Sequence, residues 1–193
     1  MTAPRNLSAT EAKRLNRDWR RRTDRPLGLL LDRVQTPFNV GSILRTAAAF
    51  RVDHLWLAGD SATPHHDKTR KTSLGTERFV PWTVVETVAD GAALARAEGM
   101  EIVGIELAHG ATALADVDFA AGGACLVLGH EDRGLSAAAL AVCDRFAYVP
   151  LPGKVGSLNV ATAAAIALYE ARRQEWTAGD GPGEDETGAP AIR

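Results

Sequence analysis

The sequence alternates short apolar runs with segments of helical periodicity, and this alternation constrains the fold more than any other feature. Four of the apolar runs have the length and composition of buried strands: "LGLLLDRV", "VDHLWLAG", "MEIVGIEL" and "GACLVLGHE". The segment "NVGSILRTAAAF" follows the first of them and carries apolar residues at the spacing of an amphipathic helix. Because strands that alternate with helices form parallel sheets covered on both faces, the sequence predicts an α/β domain with a mostly parallel sheet.

The remaining segments extend this pattern to both ends of the domain. "FVPWTVVET" and "RFAYVPL" are strand candidates, and "HHDKTRKTSLG" is a loop or a short helix. Further helices are predicted over residues 9–22, in "GAALARAEG", in "GLSAAALAVC" and in "LNVATAAAIALYEARRQEW". Ser8 or Thr10 would cap the first helix and Asn39 the second, because these residue types are preferred N-caps.

The two ends of the 193-residue chain differ in composition from its middle. We expect a basic N-terminal helical extension over residues 1–26, a main domain over residues 27–176, and a disordered acidic tail over residues 177–193, where Gly, Pro and acids dominate. No apolar run approaches the roughly 20 residues that span a bilayer, and the N-terminus lacks the apolar core of a signal peptide. The sequence therefore predicts a cytoplasmic protein without membrane contact.

Neither the cysteines nor the histidines indicate a metal centre. Cys125 and Cys143 lie among apolar neighbours, which favours reduced thiols over a disulfide. His65, His66 and Asp67 are adjacent in a polar segment, but metal sites require further ligands that this segment lacks. The prediction is that no metal is bound.

The basic segment "KRLNRDWRRR" near the N-terminus has two interpretations. Its arginines can form a solvated helix face, or they can attract a polyanion such as nucleic acid. Trp19, within the segment, is available for packing or stacking. The candidate RNA-binding residues are Arg14, Arg17, Arg20, Arg21 and Arg22.

Polar residues gather where three of the predicted strands end. They occupy 39–45, 130–133 and 153–159, whereas the glycine-rich fingerprints of dinucleotide and nucleotide-triphosphate sites and the G-x-S-x-G motif are absent. Ligands of open α/β sheets bind beyond the carboxyl ends of strands, so the three segments predict a single site.

Each of these polar residues also has a purely structural explanation. Asn39 and Ser157 can be helix caps, Arg45 can face solvent, and Glu131 can pair with Arg133 at the surface. Gly153 and Gly156 can be turn glycines.

Three blocks, taken in order, resemble the motifs of the SpoU (TrmH) family of RNA ribose 2′-O-methyltransferases, within the SPOUT superfamily. "NVGSILRTAAAF" resembles the family's Asn-x-Gly-x-(x)-x-Arg-x-Ala block, and "LVLGHEDRGLS" its Gly-Asn-Glu-x-x-Gly-Leu block. "VPLPGKVGSLNVATAAAIALYEARRQ" resembles its Pro-x-x-Gly-x-x-x-Ser-Leu-Asn-Val-x-x-Ala block. The sequence departs from the family pattern at three positions, which bear on substrate specificity more than on chemistry. His130 stands where Asn is usual, Arg51 where Gly is common, and Gly156 where Glu or Gln is usual.

The resemblance implies a C-terminal deep trefoil knot that binds S-adenosylmethionine, and a homodimer with the active site at the subunit interface. The cofactor-binding residues implied are Leu107, Gly129, Val149, Pro150, Leu151, Ser157 and Leu158. The catalytic residues implied are Arg45, Asn39, Glu131, Ser157 and Asn159. Arg45 would act on the hydroxyl, either deprotonated in a site built for it or as an electrostatic group, since the ordinary arginine pKa of about 12.5–13.8 makes it a poor base.

The chemistry implied by the resemblance requires RNA and excludes DNA, because only RNA offers a 2′-OH. The compact size and the short basic extension resemble those of the family members that modify the D-loop guanosine, which implies tRNA as the substrate. Wobble-position tRNA modification, rRNA modification and a catalytically idle RNA-binding homologue are the alternatives.

Overall fold

The structure of the chain, a computed structural model, describes residues 5–119 and 121–178. In this part of the chain, seven strands form one sheet in the order β3-β2-β1-β6-β4-β7-β5. Every pairing between these strands is parallel, which confirms the predicted sheet. The strands are β1 (Leu27–Asp32), β2 (His54–Ala58), β3 (Trp82–Val85), β4 (Met100–Ile105), β5 (Thr112–Ala113), β6 (Gly123–Leu128) and β7 (Arg145–Tyr148).

Helices cover both faces of the sheet, as predicted. They are α1 (Ala9–Arg21), α2 (Pro37–Ala49), α3 (Asp67–Ser73), α4 (Val88–Ala97), α5 (Ala137–Val142) and α6 (Val160–Ala178). Successive side chains of a strand point to opposite faces. Leu29 and Leu31 accordingly pack with α2 and α6 in one core, whereas Leu30 packs with α4 and α5 in the other.

Helix α1 starts at the expected residue, whereas the two helices that border the predicted site are capped by residues other than those expected. Ser8 caps α1 in a capping box with Glu11, as expected. Helix α2 begins at Pro37 with Thr36 as its N-cap, so the prediction that Asn39 caps this helix is wrong. Proline is favoured in the first helical turn, and it starts the helix early enough to place Asn39 inside that turn.

The N-cap of α6 is not Ser157, which the sequence offered as a candidate cap. The helix begins at Val160, and the Oδ1 atom of Asn159 accepts hydrogen bonds from the backbone N–H groups of Ala161 (2.9 Å) and Thr162 (3.4 Å). Asn159 is therefore the N-cap, and the side chain of Ser157 is left outside the helix.

The C-terminal end of α1 lies at the amino edge of the sheet. The ring of Trp19 packs against that of Trp176 near the end of α6, with the ring centroids 4.8 Å apart, and Arg51 donates to the carbonyl of Arg20. Buried Arg172 reinforces this edge through hydrogen bonds to three backbone carbonyls and an ion pair with Glu175 (2.7 Å). Residues 1–4 and 179–193, which include most of the predicted acidic tail, lie outside the described residues. Among those described, no helix is long and apolar enough to cross a bilayer.

Candidate active site

Loops that follow β4, β6 and β7 enclose a cleft of about 790 Å³ at the carboxyl edge of the sheet. Six of the seven residues predicted to bind a cofactor line this cleft: Leu107, Gly129, Val149, Leu151, Ser157 and Leu158. Pro150, the seventh, is exposed and is not among the lining residues, although both of its neighbours are. The fold thus brings the six together, and their contact with a cofactor stays a prediction.

The floor of the cleft depends on a close approach between two backbone segments. His130 and Gly134 exchange backbone hydrogen bonds of 3.0 and 2.9 Å, which folds the segment after β6 into a tight loop. A Cβ atom on Gly129 would lie 2.2 Å from the carbonyl carbon of Gly134. Only glycine fits at position 129, so the backbone itself forms this part of the cleft wall.

Glu106 belongs to the cleft although the sequence reasoning did not identify it. Its carboxylate accepts hydrogen bonds from the backbone N–H groups of Leu107 and Leu135, both at 3.1 Å. These bonds connect the loop after β4 to the loop after β6. Its position directly after the apolar run "MEIVGI" was the available signal, since it follows the same end-of-strand rule as the other site residues.

A chain of side-chain hydrogen bonds joins the three polar segments beside the cleft. The Nδ2 atom of Asn39 donates to Glu131 Oε1 (2.9 Å), and Asn159 Nδ2 donates to Asn39 Oδ1 (3.0 Å). Glu131 Oε1 also accepts from the backbone N–H of Thr36 (3.0 Å). Asn39 therefore links the loops that follow β1 and β6 to the start of α6.

Glu131 is ionised in this network. Partial burial acts to raise the pKa of Glu131, but the hydrogen bonds that it accepts from Asn39 and Thr36 outweigh this effect and lower the pKa below its usual value. The alternative in which Glu131 pairs with Arg133 is wrong. The carboxylate turns toward the first turn of α2, where two N–H donors are available.

Arg45 lies on α2 beyond Asn39 and is exposed, as the solvent-facing interpretation predicted. Six residues separate the two, which is about 9 Å along the helix axis and roughly 120° around it. Within the described part of the chain, Arg45 makes no hydrogen bond or ion pair. Its guanidinium therefore faces solvent.

The loop between β7 and α6 is exposed over most of its length. A Cβ atom on Gly153 or Gly156 would meet nothing within 4 Å, and neither residue has a positive φ. Neither glycine is required by a left-handed backbone conformation. Ser157 is exposed and lines the cleft at its outer side.

The cysteines and the adjacent histidines lie away from this site. Cys125 is buried and Cys143 is half-buried, and desolvation raises the pKa of both thiols, that of Cys143 to about 12. His66 Nδ1 caps α3 by accepting from Lys68 N (3.1 Å), and the ring of His65 packs edge-on against Trp82. In the described residues, no group of three or more His, Cys, Asp or Glu side chains could hold a metal ion.

Comparisons with known proteins place this geometry in a family. A model described as the SpoU rRNA Methylase family matches residues 26–169. The 23S rRNA (guanosine-2′-O-)-methyltransferase RlmB of Acinetobacter baylyi is 36% identical over 152 residues, or 78% of this chain and 61% of the relative. The tRNA (guanosine(18)-2′-O)-methyltransferase of Escherichia coli K12 is 32% identical over 156 residues, or 79% of this chain and 66% of the relative.

A solved structure agrees with these sequence relatives. The SpoU methyltransferase AviRb from Streptomyces viridochromogenes, in complex with the cofactor AdoMet, matches with a TM-score of 0.71 and 34% identity over 80% of this chain and 62% of that chain. The chain thus spans less than two thirds of the length of these relatives. The family match nevertheless covers the whole sheet and all three polar segments, and the chain belongs to the SpoU rRNA methylase family.

Proposed function

We propose that this chain is an S-adenosylmethionine-dependent methyltransferase that acts on a ribose 2′-OH of RNA. The observation that carries the proposal is the hydrogen-bonded chain from Glu131 through Asn39 to Asn159. It joins the three family motifs in space at the border of one cleft. The names of the relatives, which are RNA 2′-O-methyltransferases, support the same conclusion.

The cleft fits the proposed cofactor in size and chemistry. Its volume of about 790 Å³ lies within the roughly 300–1,000 Å³ of small-molecule sites. The side chains of Leu107, Leu151 and Leu158 supply apolar walls, and Gly129, which has no side chain, leaves its backbone at the cleft surface. When bound, S-adenosylmethionine supplies a methyl group on a sulfonium centre.

Asn39 and Glu131 act as positioning residues in this proposal. The amide of Asn39 donates to Glu131 and accepts from Asn159, so its polar groups hold the protein's own loops. Asn159 is engaged in the same way, because its remaining oxygen caps α6. Ser157 keeps an exposed hydroxyl at the cleft and is the residue of this loop that would contact the ribose.

Arg45 is proposed to stabilise the negative charge that develops on the ribose oxygen. A guanidinium with an ordinary pKa near 12.5 stays protonated and is a poor base, but it is well suited to hold an oxyanion or an adjacent phosphate. Its exposure, with no partner within the described residues, leaves it free for this role.

The proposal includes a trefoil knot around the cofactor cleft. Strand β7 lies between β4 and β5 in the sheet, although both precede it in the chain and are joined by residues 106–111. After β7 the chain runs through the loop 149–159 to α6, which packs against α2. In a knot, the segment after β7 would in addition pass through the loop that joins β4 to β5.

The proposal also includes a homodimer. Large apolar side chains are exposed around the site: Phe38 is 52%, Leu107 72% and Val155 66% accessible. Exposed apolar surface is common at interaction sites. A second copy of the chain would cover it and could place its own residues at the cleft.

We propose tRNA as the first substrate and 23S rRNA as the second, because relatives of both kinds match to a similar degree. We also propose that the chain has three parts. Residues 1–26 form a basic extension, residues 27–176 form the catalytic domain, and the acidic tail follows. Helix α1 presents its arginines to solvent, and Arg22 lies over the ring of Trp19 (5.3 Å).

A methylation assay with Arg45→Ala tests the proposed function. The purified chain is incubated with radiolabelled S-adenosylmethionine and with unmethylated tRNA and 23S rRNA transcripts, and the methylated position is mapped. Removal of one charge-stabilising donor typically lowers the rate by about 10²–10³, and we expect a loss of at least this size. Cofactor affinity, measured by calorimetry, should stay nearly unchanged because Arg45 does not line the cleft.

Arg96→Ala is the control. Arg96 lies on α4, on the other face of the sheet, where it is paired with Asp144 (2.8 Å). This variant should methylate at the wild-type rate. Loss of cofactor binding in parallel with loss of rate would contradict the proposed role of Arg45. Absence of methyl transfer by the wild type to either RNA would contradict the activity itself.

A further inference from the structure

We propose that the exposed side of α3 and the turn after it form a second RNA-binding surface, which holds the strand next to the methylated nucleotide. This inference rests on the proposed function and adds to it a site for the RNA backbone. The α3 surface consists of Lys68, Lys71, Leu74, Arg78 and Phe79.

The sheet order places the α3 surface beside the catalytic segments. The loop that leads to α3 leaves the carboxyl end of β2, and β2 is separated from β6 only by β1. Neighbouring strands are about 4.8 Å apart, so this loop begins roughly 10 Å from the loop that carries Glu131. The basic face of α1 is farther away, because α1 ends at the amino edge of the sheet.

Helix α3 is held tightly against α2, the helix that carries Asn39 and Arg45. A Cβ atom on Gly41 would lie 2.5 Å from the carbonyl oxygen of Thr69 and 2.7 Å from Cβ of Thr72. Arg45 follows Gly41 by four residues and therefore lies on nearly the same side of α2. The contact fixes the α3 surface relative to Arg45.

Helix α3 buries uncharged residues on one side and exposes its charged residues to solvent. Thr69 and Ser73 are fully buried against the core, whereas Lys68 and Lys71 are exposed. Arg70 pairs with Asp67 (2.7 Å), and the carboxylate of Glu77 accepts from Ser73 Oγ on the buried side.

No acidic side chain of the described chain pairs with either lysine. Two unpaired ammonium groups three residues apart on a helix are suited to neighbouring phosphates, since their Cβ atoms lie about 5–6 Å apart.

Exposed apolar groups continue the basic face at the end of α3. Phe79 is 63% accessible and Leu74 is 65% accessible. The guanidinium of Arg78 lies 4.8 Å from the centre of the Phe79 ring. An aromatic ring beside cations is the combination on which unpaired bases stack while the backbone is held electrostatically. The mixture of charge and aromatic surface therefore fits a single-stranded or looped RNA segment.

Salt-dependent binding tests the basic part of the surface. The affinity of an unmethylated tRNA transcript is measured between about 50 and about 200 mM salt for the wild type, for Lys68→Ala, Lys71→Ala and Arg78→Ala, and for the triple variant. Each lost phosphate contact should reduce the slope of log affinity against log salt by about 0.7–0.9. The slope of the triple variant should therefore be smaller by about 2–3. Arg96→Ala removes a cation from the opposite face of the sheet that is already paired with Asp144 (2.8 Å), and it should leave the slope unchanged.

Phe79→Ala tests the stacking part, with Leu94→Ala as its control because Leu94 is an exposed apolar residue of α4. Loss of one stacked base should weaken binding by roughly 5- to 100-fold for Phe79→Ala and not at all for Leu94→Ala. All variants affect exposed side chains, and wild-type melting temperatures and cofactor affinities would verify their fold.

The outcomes separate this inference from the proposed function. An unchanged slope in the triple variant, together with wild-type affinity in Phe79→Ala, would overturn the α3 surface even if the enzyme methylates RNA. Binding without methylation by the wild type would contradict the proposed function, while the slopes would still decide the role of α3. A wild type that binds no RNA would overturn both.

Discussion

Replacement of Asn39 by aspartate is the perturbation that most directly tests how the site is held together. The side chains have nearly the same shape, so the acceptor for Asn159 is retained. The donor to Glu131 is replaced by an oxygen, and two carboxylates would then lie about as close as the present 2.9 Å contact. We expect the variant to fold with reduced stability and to depend on pH in a way that the wild type does not.

The expected magnitude combines a lost hydrogen bond with a new repulsion. A hydrogen bond to a charged group contributes about 1.5–3 kcal/mol. Two like charges about 3 Å apart at an effective dielectric constant of about 40–80 repel by about 1.5–3 kcal/mol. Glu131 is partly exposed, so rotation toward solvent relieves part of this sum. We therefore expect a loss of about 2–4 kcal/mol in the free energy of unfolding near pH 8.

The sign of the pH dependence follows from the pKa shifts. In the wild type the pKa of Glu131 is lowered, so its contribution to stability is present above the unfolded pKa and is lost only as pH falls through the folded value. In the variant the carboxylate pair would hold one proton more tightly, which raises the apparent pKa of the pair above the unfolded value. The destabilisation should therefore shrink as pH falls, to below about 1.5 kcal/mol near pH 5.

Urea unfolding followed by circular dichroism at about pH 5 and about pH 8 measures both quantities. Asn39→Ala is the control, because it removes the donor without adding charge and should cost a similar amount at either pH. The reasoning would be refuted if Asn39→Asp were equally destabilising at both values, or if it were more stable than Asn39→Ala near pH 8.

Two further predictions concern the amino edge of the sheet. Arg172→Ala removes a buried cation that binds three carbonyls and Glu175, and we expect a loss of about 3–5 kcal/mol in unfolding free energy, measured by urea titration. Arg173→Ala breaks a half-buried pair on the same helix and should cost much less, since Gln174 still donates to Glu170. An equally mild Arg172→Ala would show that the buried network is unimportant. Combined alanine substitutions on α1 should reduce the salt slope of tRNA binding by about 2–3 while leaving cofactor affinity intact, and an unchanged slope would exclude this helix as an RNA contact. The substituted residues are Arg14, Arg17 and Arg20.

Much of the fold could be predicted because it depends on residues close together in the chain. The run from Leu29 to Leu31 alternates between two faces that are both covered, and a continuous apolar strand of this kind indicates a parallel sheet without further information. The capping box of Ser8 and Glu11 is another local signal that the structure confirms. The two-residue strand β5 could not be predicted, since two residues carry no periodicity.

The three polar segments of the site were also predictable, because residues after strand ends meet at one edge of a parallel sheet. The role of each residue at the site was not predictable from the sequence. The residues around Asn39 predict that it caps a helix, but the helix begins earlier, at Pro37. The amide of Asn39 instead contacts Glu131, 92 residues away, and Asn159, 120 residues away. Glu131 has a basic neighbour in the sequence and different partners in space.

The sequence by itself therefore determined the strand and helix pattern, the family motifs and the list of candidate site residues. Only the tertiary structure decided which of them touch, that Glu106 connects two cleft loops, and that α1 ends at the edge opposite the cleft. The physical reason is the range of the interactions involved. Periodicity and capping act over a few residues, whereas the site is assembled by strand order, which brings together segments about a hundred residues apart.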